Sequence, residues 1–430
     1  MNIAKLFLPG RFEDAYIYMG RLVVLTENKT IRIYNLDQIV ADLEEQYPAT
    51  IPVPTLMFSR NDWLASHQFI SLMRNKNVAQ DIFSAFKIFS DQVIDLGQFI
   101  RPGRFSEQDL HISATAFLDM HIYSARLYLG ADNGFYSINI DWKNPLPELS
   151  HSSKNKKLDA SCFNISARYG TVNASCGDDG LFSFINDFGW WKDGQVGRKI
   201  NVADTSLKTA WLDYDLINYP SYGSPSLFKS TAEKTDDGLE KEGKVLTQIG
   251  NEGEDLSYLL HTVTSSTLLK KRNGFRTVHA NYPSSYFIHE HSSNYGEDEI
   301  QFSYNADHRL FVQTKGGRFF SSRITRSKKG EIKPEHAKES SGGIGRILTI
   351  QPGKAGPIIE TEESVLLFAE EENRLYPITE FGALTVRTFP RSKRFQNLAV
   401  VTTEDGTWLV GMFDDLQLSN QANTEYIHEF

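Results

Sequence analysis

Apolar and polar residues alternate along much of this 430-residue chain, and the alternation breaks at short clusters of Asp, Asn and Gly. Leu127, Leu129, Phe135 and Ile138 flank Asp132-Asn133-Gly134. Such alternation around Asn-Gly or Asp-Gly predicts two strands and a tight turn, because these turn residues tolerate positive φ. The same pattern surrounds Asn28, Asp178-Asp179-Gly180, Asn273-Gly274, Gly316-Gly317, Asn373 and Asp405-Gly406. Acids in these turns, Glu370–Glu372 among them, are turn chemistry rather than paired catalytic carboxylates.

Two copies align without a gap. Asp14–Leu36 recurs 105 residues later as Asp119–Asp141, with Ile17, Tyr18, Arg21, Leu22, Asn28 and Ile33 matching Ile122, Tyr123, Arg126, Leu127, Asn133 and Ile138. Turns at 133 and 179 are 46 residues apart, and those at 179 and 273 are 94 apart, or two units of about 47. A period in the forties is that of a four-stranded propeller blade. The expected fold is therefore all-β: a single β-propeller over 1–430, of seven blades with eight as the alternative. Each long gap then hides a divergent blade, the first turning at Asn75-Lys76-Asn77 and the second near Tyr222–Ser230. The 32 residues from 373 to 405 are too few for a blade, so one of those turns joins other strands of the last blade.

The strings LYLGADNGFYSI and CGDDGLFSFI resemble the short repeats of regulator-type β-propellers and, in period, WD40-like propellers. The resemblance covers about half the chain and concerns the fold. It implies blades whose end faces bind partners, and it carries no catalytic residue onto this sequence. The Trp-Asp and Gly-His signatures of standard WD40 repeats are absent from the clear copies.

Three insertions depart from the repeat. Residues 36–48 predict a short helix, with Ile39, Val40 and Leu43 on one face and Pro48 closing it. Residues 220–255 and 326–346 are rich in Ser, Gly, Lys and acids and predict long polar loops. Trp63–Ile100 fits helix or strand equally well, because short apolar runs do not resolve the period.

Composition sets the boundaries. The net charge is −9, which disfavours generic nucleic-acid binding. The first residues, MNIAKLFLPGRFEDAYIY, hold too short an apolar core for a signal peptide, and no apolar run spans a membrane, so the expected location is cytoplasmic. Cys162 and Cys176 fall in one blade, where a buried thiol pair is expected and a disulfide is the alternative. No catalytic motif stands out and no cofactor is expected. His289 and His291 share one strand face and are the best metal candidates, although two ligands do not make a site. Trp190, Trp191, Trp211, Tyr214, Tyr219 and Tyr222 are the candidate binding surface, since exposed aromatics anchor interfaces. The expected function is a non-enzymatic scaffold that binds protein partners in an assembly. The alternatives are a propeller hydrolase or lyase, or a ligand sensor, with its site at the channel mouth.

Overall fold

The computed structural model describes residues 1–90, 92–150, 156–186, 196–212, 215–220, 226–234, 240–249, 262–264, 279–281, 300–306, 309–326, 332–334, 337–340, 344–369 and 372–413. Within them the chain forms seven sheets of four or five strands and one of two, built mostly as antiparallel meanders in sequence order, with Val93–Asp95 pairing parallel to Asn2–Pro9 as the exception. Such four-stranded meanders are the blade unit of a β-propeller, and the fold is all-β of that class. The chain divides into two compact units. The first comprises Met1–Asp109, Lys143–Pro147 and Gln351–Phe430, and the second comprises Leu110–Trp142 and Glu148–Ile350.

In the first unit, strands Phe12–Tyr18, Arg21–Thr26, Thr30–Asn35 and Phe105–Asp109 make one sheet. Another joins both ends of the described chain. Thr385–Thr388, Leu398–Thr402 and Gly406–Phe413 pair in order, and the N-terminal strand Asn2–Pro9 adds to them in register from Asn2 opposite Phe413 to Pro9 opposite Gly406. In the second unit the meanders run through Phe117–Asp141, Asn164–Ala203 and Lys208–Ile249, and through Ile300–Arg326 with its short partner strands.

The turns at Asn28, Asn133, Asp179, Gly317, Asn373 and Asp405 all join paired strands or flank them. Asn273-Gly274 lies outside the described residues. The short spacing from 373 to 405 arises one sheet earlier than expected. The hairpin from Ile358–Thr361 to Val365–Ala369 turns at Glu362-Glu363, 43 residues before Asp405. Asn373 makes the next turn of that same sheet.

The first long gap holds no blade. Residues 36–90 form four α-helices, α1 (Leu36–Gln46), α2 (Val53–Phe58), α3 (His67–Met73) and α4 (Lys76–Ser90), and Asn75–Asn77 lies at the start of α4 instead of in a hairpin. Ile82, Ala85, Phe86 and Phe89 are buried at helical spacing, which gives one apolar face to the packed side. The helix expected over 36–48 is thus the first of a helical array.

The two polar insertions also differ from expectation. Ser226–Lys234 pairs with Glu240–Ile249, Leu227 lying opposite Ile249. Ile332–Pro334 and Lys338–Ser340 both pair with Phe319–Arg326. Backbone pairing needs no apolar side chain, and polar residues, Lys and Pro suit strands at a sheet edge. Of these, Ser226–Lys234 is paired on both sides and the others lie at sheet edges, so polar composition does not mark a loop here.

The primed hairpins lie where the sequence does not advertise them. Met19-Gly20, Ser124-Ala125 and Tyr169-Gly170 each close a two-residue turn between the first and second strands of a sheet, with every residue at positive φ. By contrast, neither Asn133 nor Gly134 has positive φ, so Gly134 is required for another reason. A Cβ there would meet the backbone carbonyl of Leu158 at 2.9 Å and Lys156 Cε at 2.6 Å. The lysine tail can move and the carbonyl cannot. Gly134→Val is expected to cost about 1–3 kcal/mol by overpacking, with Gly134→Ala also destabilising. Urea unfolding measures both, and unchanged midpoints would contradict this packing.

Candidate functional site

The helical array is the largest departure from the repeat, and local chemistry explains how it is held. Asn35 caps α1, its Oδ1 accepting the Gln38 amide at 3.3 Å. Leu36, Ile39, Val40 and Leu43 form the buried face of that helix. Asn61 is fully buried and satisfied. Its Nδ2 donates to the carbonyls of Leu56 and Met57 at the end of α2, and its Oδ1 accepts the Asn397 amide at 3.0 Å. Arg394 adds a second tie, donating to Asp37 Oδ1 at 2.7 Å and to the Ser59 carbonyl at 3.1 Å. Phe86 of α4 stacks on Phe413 with ring centroids 4.1 Å apart, so the array shares the core of the sheet that joins the chain ends.

The outer side of this array is different. Leu72 of α3 is 53% exposed and Ile88 of α4 is 50% exposed. Trp63 is exposed before α3, and the Arg60 guanidinium lies 4.5 Å from the centre of its ring. Arg60 in turn binds Asp62 through two hydrogen bonds of 3.0 and 2.8 Å, which hold the Asp62 carboxyl below its ordinary pKa. An open groove of about 440 Å³ runs along α4. Met73, Ala79 and Phe83 supply apolar lining, and Lys76 and Lys87 are among its other lining residues.

The residues singled out in the sequence fare unevenly. Trp190, Trp191, Tyr214, Tyr222, His289 and His291 lie outside the described residues. Tyr219 is fully buried, at the end of strand Asp215–Tyr219 opposite Lys208. It is a core residue and no surface anchor, because the loop that was expected to expose it gives way to paired strands. Trp211 is half-buried and packs edge-on against Tyr169 at 5.7 Å. The Arg168 guanidinium lies 4.3 Å from the Tyr169 ring centre and 5.9 Å from that of Trp211. This cluster joins two neighbouring sheets of the second unit. The hairpin that presents Arg168 and Tyr169 carries no Asn-Gly or Asp-Gly, so nothing local in the sequence marks them.

Nearby in the repeat, Arg126 is 8% exposed and donates to Ser137 Oγ at 3.3 Å. Burial lowers its pKa from the ordinary guanidinium value. Cys162 and Cys176 are free and buried, and burial first, then the neighbouring Cys176 thiol, push the Cys162 thiol well up. A raised thiol pKa makes Cys162 an inert structural cysteine.

No known protein family matches the sequence, and no curated protein matches it. Solved structures do show a likeness. The WD40 β-propeller domain of Doa1 is 7% identical, with 96% of this chain and 98% of that chain covered and a TM-score of 0.42. The Neurospora crassa Pan2 WD40 domain is 6% identical over 94% and 90% of the two chains, with a TM-score of 0.39. BBS1N, solved in complex with ARL6DN, is 9% identical over 95% and 94%, with a TM-score of 0.41. No helix of the described residues is long and apolar enough to cross a membrane.

Proposed function

We propose that the chain is a single β-propeller, acting in the cytoplasm as a non-enzymatic scaffold within a protein assembly, and that its helical array is the docking element. The supporting observation is the two-sided character of that array. One side is fixed to the sheet core through Phe86, Asn61 and Arg394. Away from that core, Leu72, Ile88 and Trp63 stand exposed on its surface. Single exposed apolar residues are common, but three on one inserted element that also carries a groove suit an interface.

The test is affinity purification of the tagged chain from its host, followed by mass spectrometry, for the natural sequence and for Leu72→Glu/Ile88→Glu. A stoichiometric partner bound by the natural chain and lost from the variant is the expected result. The variant should melt as the natural chain does, because both side chains are exposed. Equal recovery of the partner by both chains would place the interface elsewhere. A chain recovered alone would remove the scaffold reading.

A further inference from the structure

We propose that the groove along α4 receives an acidic amphipathic helix from a partner protein. This rests on the scaffold reading above and names the chemistry of the partner. The groove is apolar at Met73, Ala79 and Phe83 and includes Lys76 and Lys87 in its lining. The two lysines are eleven residues apart on one helix, which is ~16 Å along its axis at 1.5 Å per residue. That length matches about three turns of a helix laid along the groove.

Charge selects the occupant. The chain as a whole carries −9, yet His67–Ser90 holds Arg74, Lys76 and Lys87 against Asp81 alone. A positive stretch on an acidic protein repels basic partners locally and attracts carboxylates. The apolar side chains between the lysines require apolar residues at i, i+3 or i+4, and i+7 on the incoming helix, the pattern by which an amphipathic helix fills a groove. Glu or Asp at either end of that face would meet Lys76 and Lys87. The lysines set orientation and selectivity, while the apolar contacts supply most of the affinity.

The experiment places a photo-crosslinking residue, p-benzoylphenylalanine, at Gln80, which also lines the groove. The full chain is crosslinked in its host cells, and the attached peptide is identified by mass spectrometry. The expected product is a segment of another protein with net negative charge and apolar residues at helical spacing. Its yield should fall roughly tenfold in Lys76→Glu/Lys87→Glu, because each charge reversal replaces attraction with repulsion. The thermal melt of that variant should be unchanged, both lysines being exposed. A neutral or basic crosslinked segment would overturn the proposal, as would a yield indifferent to the charge reversal. Attachment to residues 414–430 of the same chain, which carry Asp414, Asp415, Glu425 and Glu429, would also overturn it by assigning the groove to this chain's own acidic segment. A partner that co-purifies without crosslinking at Gln80 would overturn the groove and leave the scaffold reading standing. A chain recovered alone and uncrosslinked would overturn both.

Discussion

Asp14→Ala is expected to destabilise the fold by about 3–5 kcal/mol, the cost of stranding one partner of a buried ion pair. Asp14 is 2% exposed on strand Phe12–Tyr18. Its Oδ1 accepts the Ala15 amide at 2.8 Å, Thr385 Oγ1 at 3.0 Å and Arg387 Nε at 3.2 Å, and its Oδ2 accepts Arg387 Nη2. Through this carboxylate the first sheet is tied to the sheet that joins the chain ends. Removing it leaves a mostly buried guanidinium and a threonine hydroxyl without their shared acceptor. Equilibrium urea unfolding measures the loss. The companion variant Asp14→Ala/Arg387→Met should recover part of it, because a missing pair costs less than half of one. A single-variant loss below about 1 kcal/mol would show that the contact is solvated and marginal.

The repeat gives this residue a counterpart, and the counterpart shows where sequence reading stops. Asp119 aligns with Asp14 and is also buried. Each sits where the pairing of its strand shifts register, between Phe12 and Asp14 in one sheet and between Phe117 and Asp119 in the other. Yet Asp119 reaches forward in the sequence, its Oδ2 accepting the Ile165 amide at 2.6 Å and Asn164 Nδ2 at 3.1 Å. Asp14 reaches instead to the C-terminal sheet, 371 residues away. The aligned copies reveal that an aspartate recurs. They do not reveal which strand it clamps, because that depends on contacts remote in sequence.

The same divide runs through the rest of the chain. Hairpins that turn on Asp, Asn and Gly were legible because those residues favour turns for local reasons. Hairpins at Met19-Gly20, Ser124-Ala125 and Tyr169-Gly170 are not, since none pairs Asn or Asp with Gly and strand pairing imposes the positive φ of Met19, Ser124, Ala125 and Tyr169. Helix α4 was ambiguous because Ile82, Phe83 and Phe86 fit two periods over so short a span. The groove was invisible for a related reason. Lys76, Ala79 and Phe83 become a surface only once Phe86 and Phe89 are known to face the core. In the sequence Trp211 reads as part of an aromatic surface patch, and the structure gives it a packing contact with Tyr169 and Arg168.

Phe86→Ala is the sharpest test of whether the helical array belongs to the fold. Its expected cost is about 3–5 kcal/mol, the range for deleting a fully buried phenylalanine and leaving a cavity. Phe86 is fully buried, and its ring stacks on Phe413 at an interplanar angle of 8°. Phe89, one turn on, faces Phe58 of α2 at 6.1 Å. The cavity would therefore open between α4 and Gly406–Phe413, the strand that pairs with the N-terminal strand Asn2–Pro9. Collapse is restricted there, because Asn61 and Arg394 hold the array from its other end. Lys87→Ala, one residue along and exposed, should change stability by no more than about 0.5 kcal/mol. Urea unfolding of the two variants side by side separates the faces of one helix. Similar small losses in both would mean that α4 is an appendage that the blades do not need. A large loss in Phe86→Ala alone would mean that the array and the sheet fold as one, with the docking face carried on part of the core.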